Sequence, residues 1–196
     1  MSQPQPELTV ADARRWRAWL GRNHADPTGV WLVLAKKGTS DPTSLTYAQA
    51  LEEALCHGWI DGQTRRRDDA TYAQRFTPRR KRSQWSKRNV GVVGELAVAG
   101  RMHPAGLAEV ERAKADGRWQ NAYAGQAQIE VPADLRAALD GNAAALAAFE
   151  TLTSQNRYAV IYRVESLRRA DSRARRIEQY VAMLERGETL HPQRRR

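Results

Sequence analysis

The chain has 196 residues, 41% hydrophobic and 28% charged, which is enough apolar material for an ample core and too many charges for a membrane protein. No apolar run approaches the roughly 20 residues that span a bilayer, and the single cysteine, Cys56, excludes an internal disulfide or a cysteine-based zinc site. The formal charge of +10 is clustered: ten Lys/Arg face two acids between Arg65 and Arg88, and ten Arg face five acids from Arg163 onward. A compositional bias toward Arg explains residue type but not clustering, and a field of this kind favours nucleic acid, phosphorylated ligands or acidic surfaces.

Residues 1–8 are polar and Pro-rich, the composition of a disordered leader. They carry neither the basic start nor the apolar stretch of a secretory signal, so the expected address is cytoplasmic. Thr9-Val-Ala-Asp12 reads as a capping box opening a helix to about His24, with Val10, Ala13, Trp16 and Leu20 on one face. After a turn at Asp26–Gly29, Val30–Leu34 reads as a buried strand. Thr46 and Gln49 cap a second helix, which ends at Gly58. Residues 59–67 and 71–77 follow as two strands joined around Asp68-Asp69.

From Ser83 the pattern is helical. Ser83 is expected to cap a helix to about Ala99, and Pro104 opens another that ends near Gly117. Residues 126–131 form an extended link. Shorter helices then start at Pro132 and Asn142, Ser154 is expected to cap another, and a final one follows Asp171 or Ser172, with Ile177, Tyr180, Val181 and Leu184 on one face. The expected class is α+β: a small antiparallel-containing sheet of about three strands within residues 30–77, covered by helices, then a mostly helical C-terminal half. The expected division is a leader to residue 8, an α+β domain over 9–125 with a basic loop, a helical segment over 126–190 and a basic tail over 191–196.

Several ordered motifs carry a resemblance. Gly58-Trp-Ile-Asp-Gly-Gln63, Gln74-Arg-Phe-Thr-Pro-Arg-Arg80, Ser83-Gln-Trp-Ser86, Gly100-Arg-Met-His-Pro-Ala-Gly106, Ala113-Lys-Ala-Asp-Gly-Arg-Trp119, Ser154-Gln-Asn-Arg-Tyr158 and Met183-Leu-Glu-Arg-Gly187 lie within a chain that, over roughly 10–192, resembles the YdeI/OmpD-associated (OmdA-like) family. The resemblance implies bacteriocin or antimicrobial-peptide protection, with no established reaction. A chain this basic repels a cationic peptide, so the implied protection is indirect.

Arg75 to Arg88 is the most informative stretch. Arg75, Arg79, Arg80 and Lys81 would hold phosphates around a helix N-terminus at Ser83, with Ser86 as a further donor and Trp85 stacking a base or anchoring the core. This reading makes DNA or RNA the first candidate ligand; the plain one is a solvated basic loop. Trp59, Asp61 and Gln63 fall on one face of a strand, where Asp61 either pairs with Arg75 or Arg79 or serves a small-molecule pocket joined by Asn156 and Arg157. The C-terminal helices could instead dock a partner protein. Cys56 sits on an apolar helix face, and His24, His57, His103 and His191 lack metal-ligand spacing. No catalytic, dinucleotide or phosphate-loop motif is present, so no metal or cofactor is expected.

Overall fold

The structure is a computed structural model describing residues 7–126 and 128–193. The chain divides into two compact units between Ala122 and Tyr123.

The first unit is α+β. Among the described residues its sheet has four strands: β1 (Glu7–Leu8), β2 (Val30–Ala35), β3 (Trp59–Arg66) and β4 (Thr71–Pro78), in the order β1-β2-β4-β3. β2 and β3 both pair antiparallel with β4, while β1 lies parallel to β2. β1, the strand beyond the expected three, lies within the expected leader, whose last two residues, Glu7 and Leu8, align with Trp31 and Leu32. Leu8 packs on the core while Glu7 reaches Arg65 and Arg67, so distant partners order a segment with no periodicity of its own. The rest of that leader, residues 1–6, lies outside the described residues.

Among the described residues, four helices belong to this unit: α1 (Ala13–Asn23), α2 (Tyr47–Cys56), α3 (Lys87–Val98) and α4 (Pro104–Ala115). The Thr46/Gln49 capping box of α2 forms as expected, and Gly58 follows with φ +76, a conformation only glycine adopts without strain. α1 starts later than the Thr9 box implies, because the Asp12 carboxylate accepts from the Arg15 amide at 2.8 Å. α3 is also corrected. Ser83 is not its cap; Ser86 is, accepting from Asn89, while the Ser83 hydroxyl accepts from the Arg80 amide in a preceding turn.

Register decides which face of the sheet is the core. Val30, Leu32 and Leu34 lie opposite Phe76, Gln74 and Tyr72, and these positions face the helices. Trp16, Trp19, Trp59 and Phe76 interlock there, with Trp16 and Phe76 centroids 5.7 Å apart and Trp19 edge-on to Trp59 at 5.8 Å. The alternate positions, including Trp31 opposite Arg75, point to the other face.

The second unit is helical: α5 (Ala133–Asp140), α6 (Ala143–Glu150), α7 (Ser154–Glu165) and α8 (Ala170–Glu185). α8 packs against the other three, burying Ile177, Tyr180 and Leu184 as its sequence period requires. Its helix begins at Ala170, slightly ahead of the expected start, and α7 is capped by Thr153 rather than Ser154. Of the expected basic tail, residues 191–193 are described: buried Asn156 accepts from the His191 amide at 2.8 Å and donates to the Gln193 side chain, also at 2.8 Å. Residues 194–196 lie outside the described residues.

Candidate functional site

The basic stretch splits into paired and unpaired halves. In the β3–β4 hairpin Arg65 and Arg67 bond Glu7, Arg67 also bonds Asp68, and Arg66 lies 3.7 Å from Asp69. Arg80, Lys81, Arg82, Lys87 and Arg88 are exposed, and among the described residues none of the five has a carboxylate within 4.0 Å. The uncompensated charge therefore concentrates on the turn between β4 and α3. That turn is held from beneath. The Arg79 amide donates to the Gly58 carbonyl at 3.0 Å, and Arg118, buried and paired with Asp116 and Glu109, donates to the Ser83 carbonyl at 2.8 Å.

Two residues expected to meet the ligand belong to the core. Trp85 is 1% exposed, and the Arg79 guanidinium sits over its ring at 3.5 Å while donating to the Gln84 carbonyl. Trp85 thus has no free face for a base. Arg75 lies elsewhere, on the sheet face away from the helices, opposite Trp31. Its guanidinium bonds the Thr28 carbonyl and stands 5.9 Å from the Trp31 ring, while that of Arg65 lies 4.5 Å from the same ring. One Arg75 nitrogen, Nη1, is buried without a hydrogen-bond partner. Burial holds the Arg75 pKa below its ordinary value, with Asp26 nearby acting the other way. Ser86, the cap of α3, is half-buried beside Lys87. Trp31 itself carried no functional signal, because an unbroken apolar run does not say which of its residues face outward.

The expected Trp59–Asp61–Gln63 pocket is not assembled. Trp59 is fully buried and donates to the His24 carbonyl. Asp61 is opposite Phe76 and so does not face Arg75; it accepts instead from the Tyr47 hydroxyl at 2.8 Å. Burial first, and then the neighbouring Asp61, push the Tyr47 pKa up strongly. A register shift between Asp61 and Thr64 breaks the alternation that would align Gln63 with them, and the Gln74 amide fills the gap by donating to the Gly62 carbonyl. In the second unit Asn156 donates to the His191 carbonyl and the Gln193 side chain, and Arg157 lies 5.0 Å over the Phe149 ring.

The histidines lack metal-ligand spacing in the sequence, yet three of them meet in the fold. His103 is 4.8 Å, centroid to centroid, from both His24 and His57. Among the described residues no group of His, Cys, Asp or Glu is arranged to hold a metal ion. No helix among them is long and apolar enough to cross a membrane.

Residues 8–109, over half of the chain, match the model of a domain of unknown function, DUF8412. The chain belongs to the DUF8412 family. Residues 128–187 match a second family model, OmdA, described as bacteriocin-protection, YdeI or OmpD-associated. The YdeI/OmpD-associated resemblance read from the motifs is thus shown in the helical second unit, while the DUF8412 match spans β2 to β4, the turn and the three clustered histidines. No curated protein and no solved structure matches the chain.

Proposed function

We propose that this DUF8412 protein binds an anionic polymer, single-stranded nucleic acid first among candidates, through the turn between β4 and α3 and the adjoining Trp31 face. The observation that carries this reading is the group of five exposed cations, Arg80, Lys81, Arg82, Lys87 and Arg88, with no carboxylate within 4.0 Å among the described residues. Arginine forks match phosphate oxygens in geometry, and each phosphate neutralised releases counterions. Arg75, five residues upstream in an extended strand, lies within about 17 Å of the turn. It adds a half-buried cation 5.9 Å from the Trp31 indole.

Trp31, half-buried with the Arg65 and Arg75 guanidinium groups 4.5 and 5.9 Å from its ring centre, offers an aromatic surface flanked by cations for an unpaired base. A duplex hides its base faces, so this feature favours single strands. Bacteriocin protection, which the OmdA description names, is then assigned to this chain as an indirect effect of holding an anionic ligand.

Photochemical crosslinking to an oligothymidylate, with the modified peptides mapped, tests the site. The expected adducts fall on peptides containing Trp31 and residues 80–88. Adducts confined to residues 128–193 would contradict it.

A further inference from the structure

Beyond nucleic-acid binding, the first unit carries a titratable cluster at the joint of three helices. His24 terminates α1, His57 terminates α2, and His103 is the N-cap of α4. The three backbones are tied here: the Trp59 indole donates to the His24 carbonyl at 2.8 Å, and the His103 amide donates to the Cys56 carbonyl at 3.0 Å. The Gly58 carbonyl, next along from His57, receives the Arg79 amide, so the joint also holds the root of the basic turn.

We propose that His24, His57 and His103 form an acid-released latch on the α1–α2–α4 joint. Hydrogen bonding makes the neutral state specific. His57 Nδ1 lies 2.8 Å from the Glu53 carbonyl and therefore carries a proton. His103 Nδ1 accepts from the Ala105 amide, so it is the bare nitrogen of that ring. A second proton can enter His103 only there, which turns the acceptor into a donor facing another donor and breaks the α4 cap. It also sets a cation at the positive end of the α4 dipole. His24 Nδ1 is buried without a partner, so protonation there leaves a charged N–H with nothing to receive it.

The charged groups around the cluster are already committed. Glu53 of α2 holds Arg17 of α1 and Arg101; Glu109 of α4 holds Arg112 and Arg118; Asp26, after α1, caps Thr28. Cys56 is buried and its thiol pKa is pushed up to about 11, so it supplies no anion. Burial first, and then His103 and His24 alongside, hold His57 below its ordinary value against the opposing pull of the Glu53 carbonyl and carboxylate. A histidine whose folded pKa is depressed contributes stability above its unfolded pKa, about 6.5, and loses it as pH falls toward the folded value.

The test is urea unfolding of the full chain between pH 7.5 and 5, comparing the native protein with His57→Asn and His103→Asn. Asparagine keeps the donor to Glu53 and the acceptor for Ala105 respectively, but does not titrate. The native unfolding constant should rise below pH 6.5 by up to about tenfold per pH unit for each proton taken up, and each variant should flatten that rise. An unchanged pH slope in both variants would overturn the latch. Should either variant fail to fold, amide exchange at Ala105 in the native protein decides: protection lost between pH 7 and 5 supports the latch, and unchanged protection overturns it.

Discussion

The Arg79 guanidinium lies 3.5 Å from the centre of the Trp85 ring, and both residues are buried. A basic residue in a basic run is here part of the core. Arg79→Ala therefore acts on stability, with an expected loss of about 2 kcal/mol from the stacking contact and the bond to Gln84. The triple change Arg80→Ala, Lys81→Ala and Arg82→Ala alters three exposed cations and should shift stability by less than about 1 kcal/mol. Urea denaturation of the two proteins checks the contrast.

Glycines in and beside the helices divide the same way. A Cβ on Gly106 would fall 2.1 Å from the Cys56 carbonyl oxygen and 2.8 Å from its carbon, both backbone atoms, so α4 would have to move away from α2. Gly106→Ala should cost at least about 2 kcal/mol. Gly91, inside α3, has nothing within 4 Å of its added Cβ, and Gly91→Ala should stabilise by about 0.5–1 kcal/mol. Thermal melts of both variants read the opposite signs.

Glu53 is 3% exposed and receives Arg17 through two bonds of 2.6 Å and Arg101 at 2.7 Å. Glu53→Gln leaves both guanidinium groups without their shared carboxylate. Both arginines are partly exposed and recover water, so the expected loss is about 2 kcal/mol rather than the larger cost of a fully buried pair. A double-mutant cycle with Arg17→Met measures the coupling.

Cys56 should behave as an inert thiol. Burial first, and then Glu53 beside it, push its pKa up to about 11, so at pH 8 the folded protein presents almost no thiolate. Iodoacetamide at pH 8 should label it in urea and spare it in the native state; rapid native labelling would contradict this burial.

Helix caps and strand alternation are local, which is why much of the fold was legible in the sequence. The Thr46/Gln49 box, Pro104 at the start of α4 and the Ile177–Leu184 face needed no distant partner to be recognised. What escaped depends on tertiary contacts. Ser83 and Ser86 are equivalent caps by type, and the difference is made by Arg118, 35 residues beyond Ser83, which fixes the Ser83 carbonyl in a turn. β1 exists only because β2 receives it. Pairing across β2 and β4 joined Trp31 to Arg75, and three helix ends brought the histidines together. In the candidate site the charge cluster was visible, but not which of its members were paired or buried.

The most direct test of the account is fluorescence anisotropy with a labelled single strand and its duplex, at about 50 and 200 mM salt. The proteins compared are the native chain, the Arg80→Ala/Lys81→Ala/Arg82→Ala variant and Trp31→Ala. If three phosphates are held at the turn, native affinity for the single strand should fall about 20-fold over that range. The triple variant should abolish most of the salt dependence, and Trp31→Ala should weaken the single strand more than the duplex. No binding at 50 mM salt, or equal binding by the native protein and the triple variant, would contradict the assignment of nucleic acid to this turn.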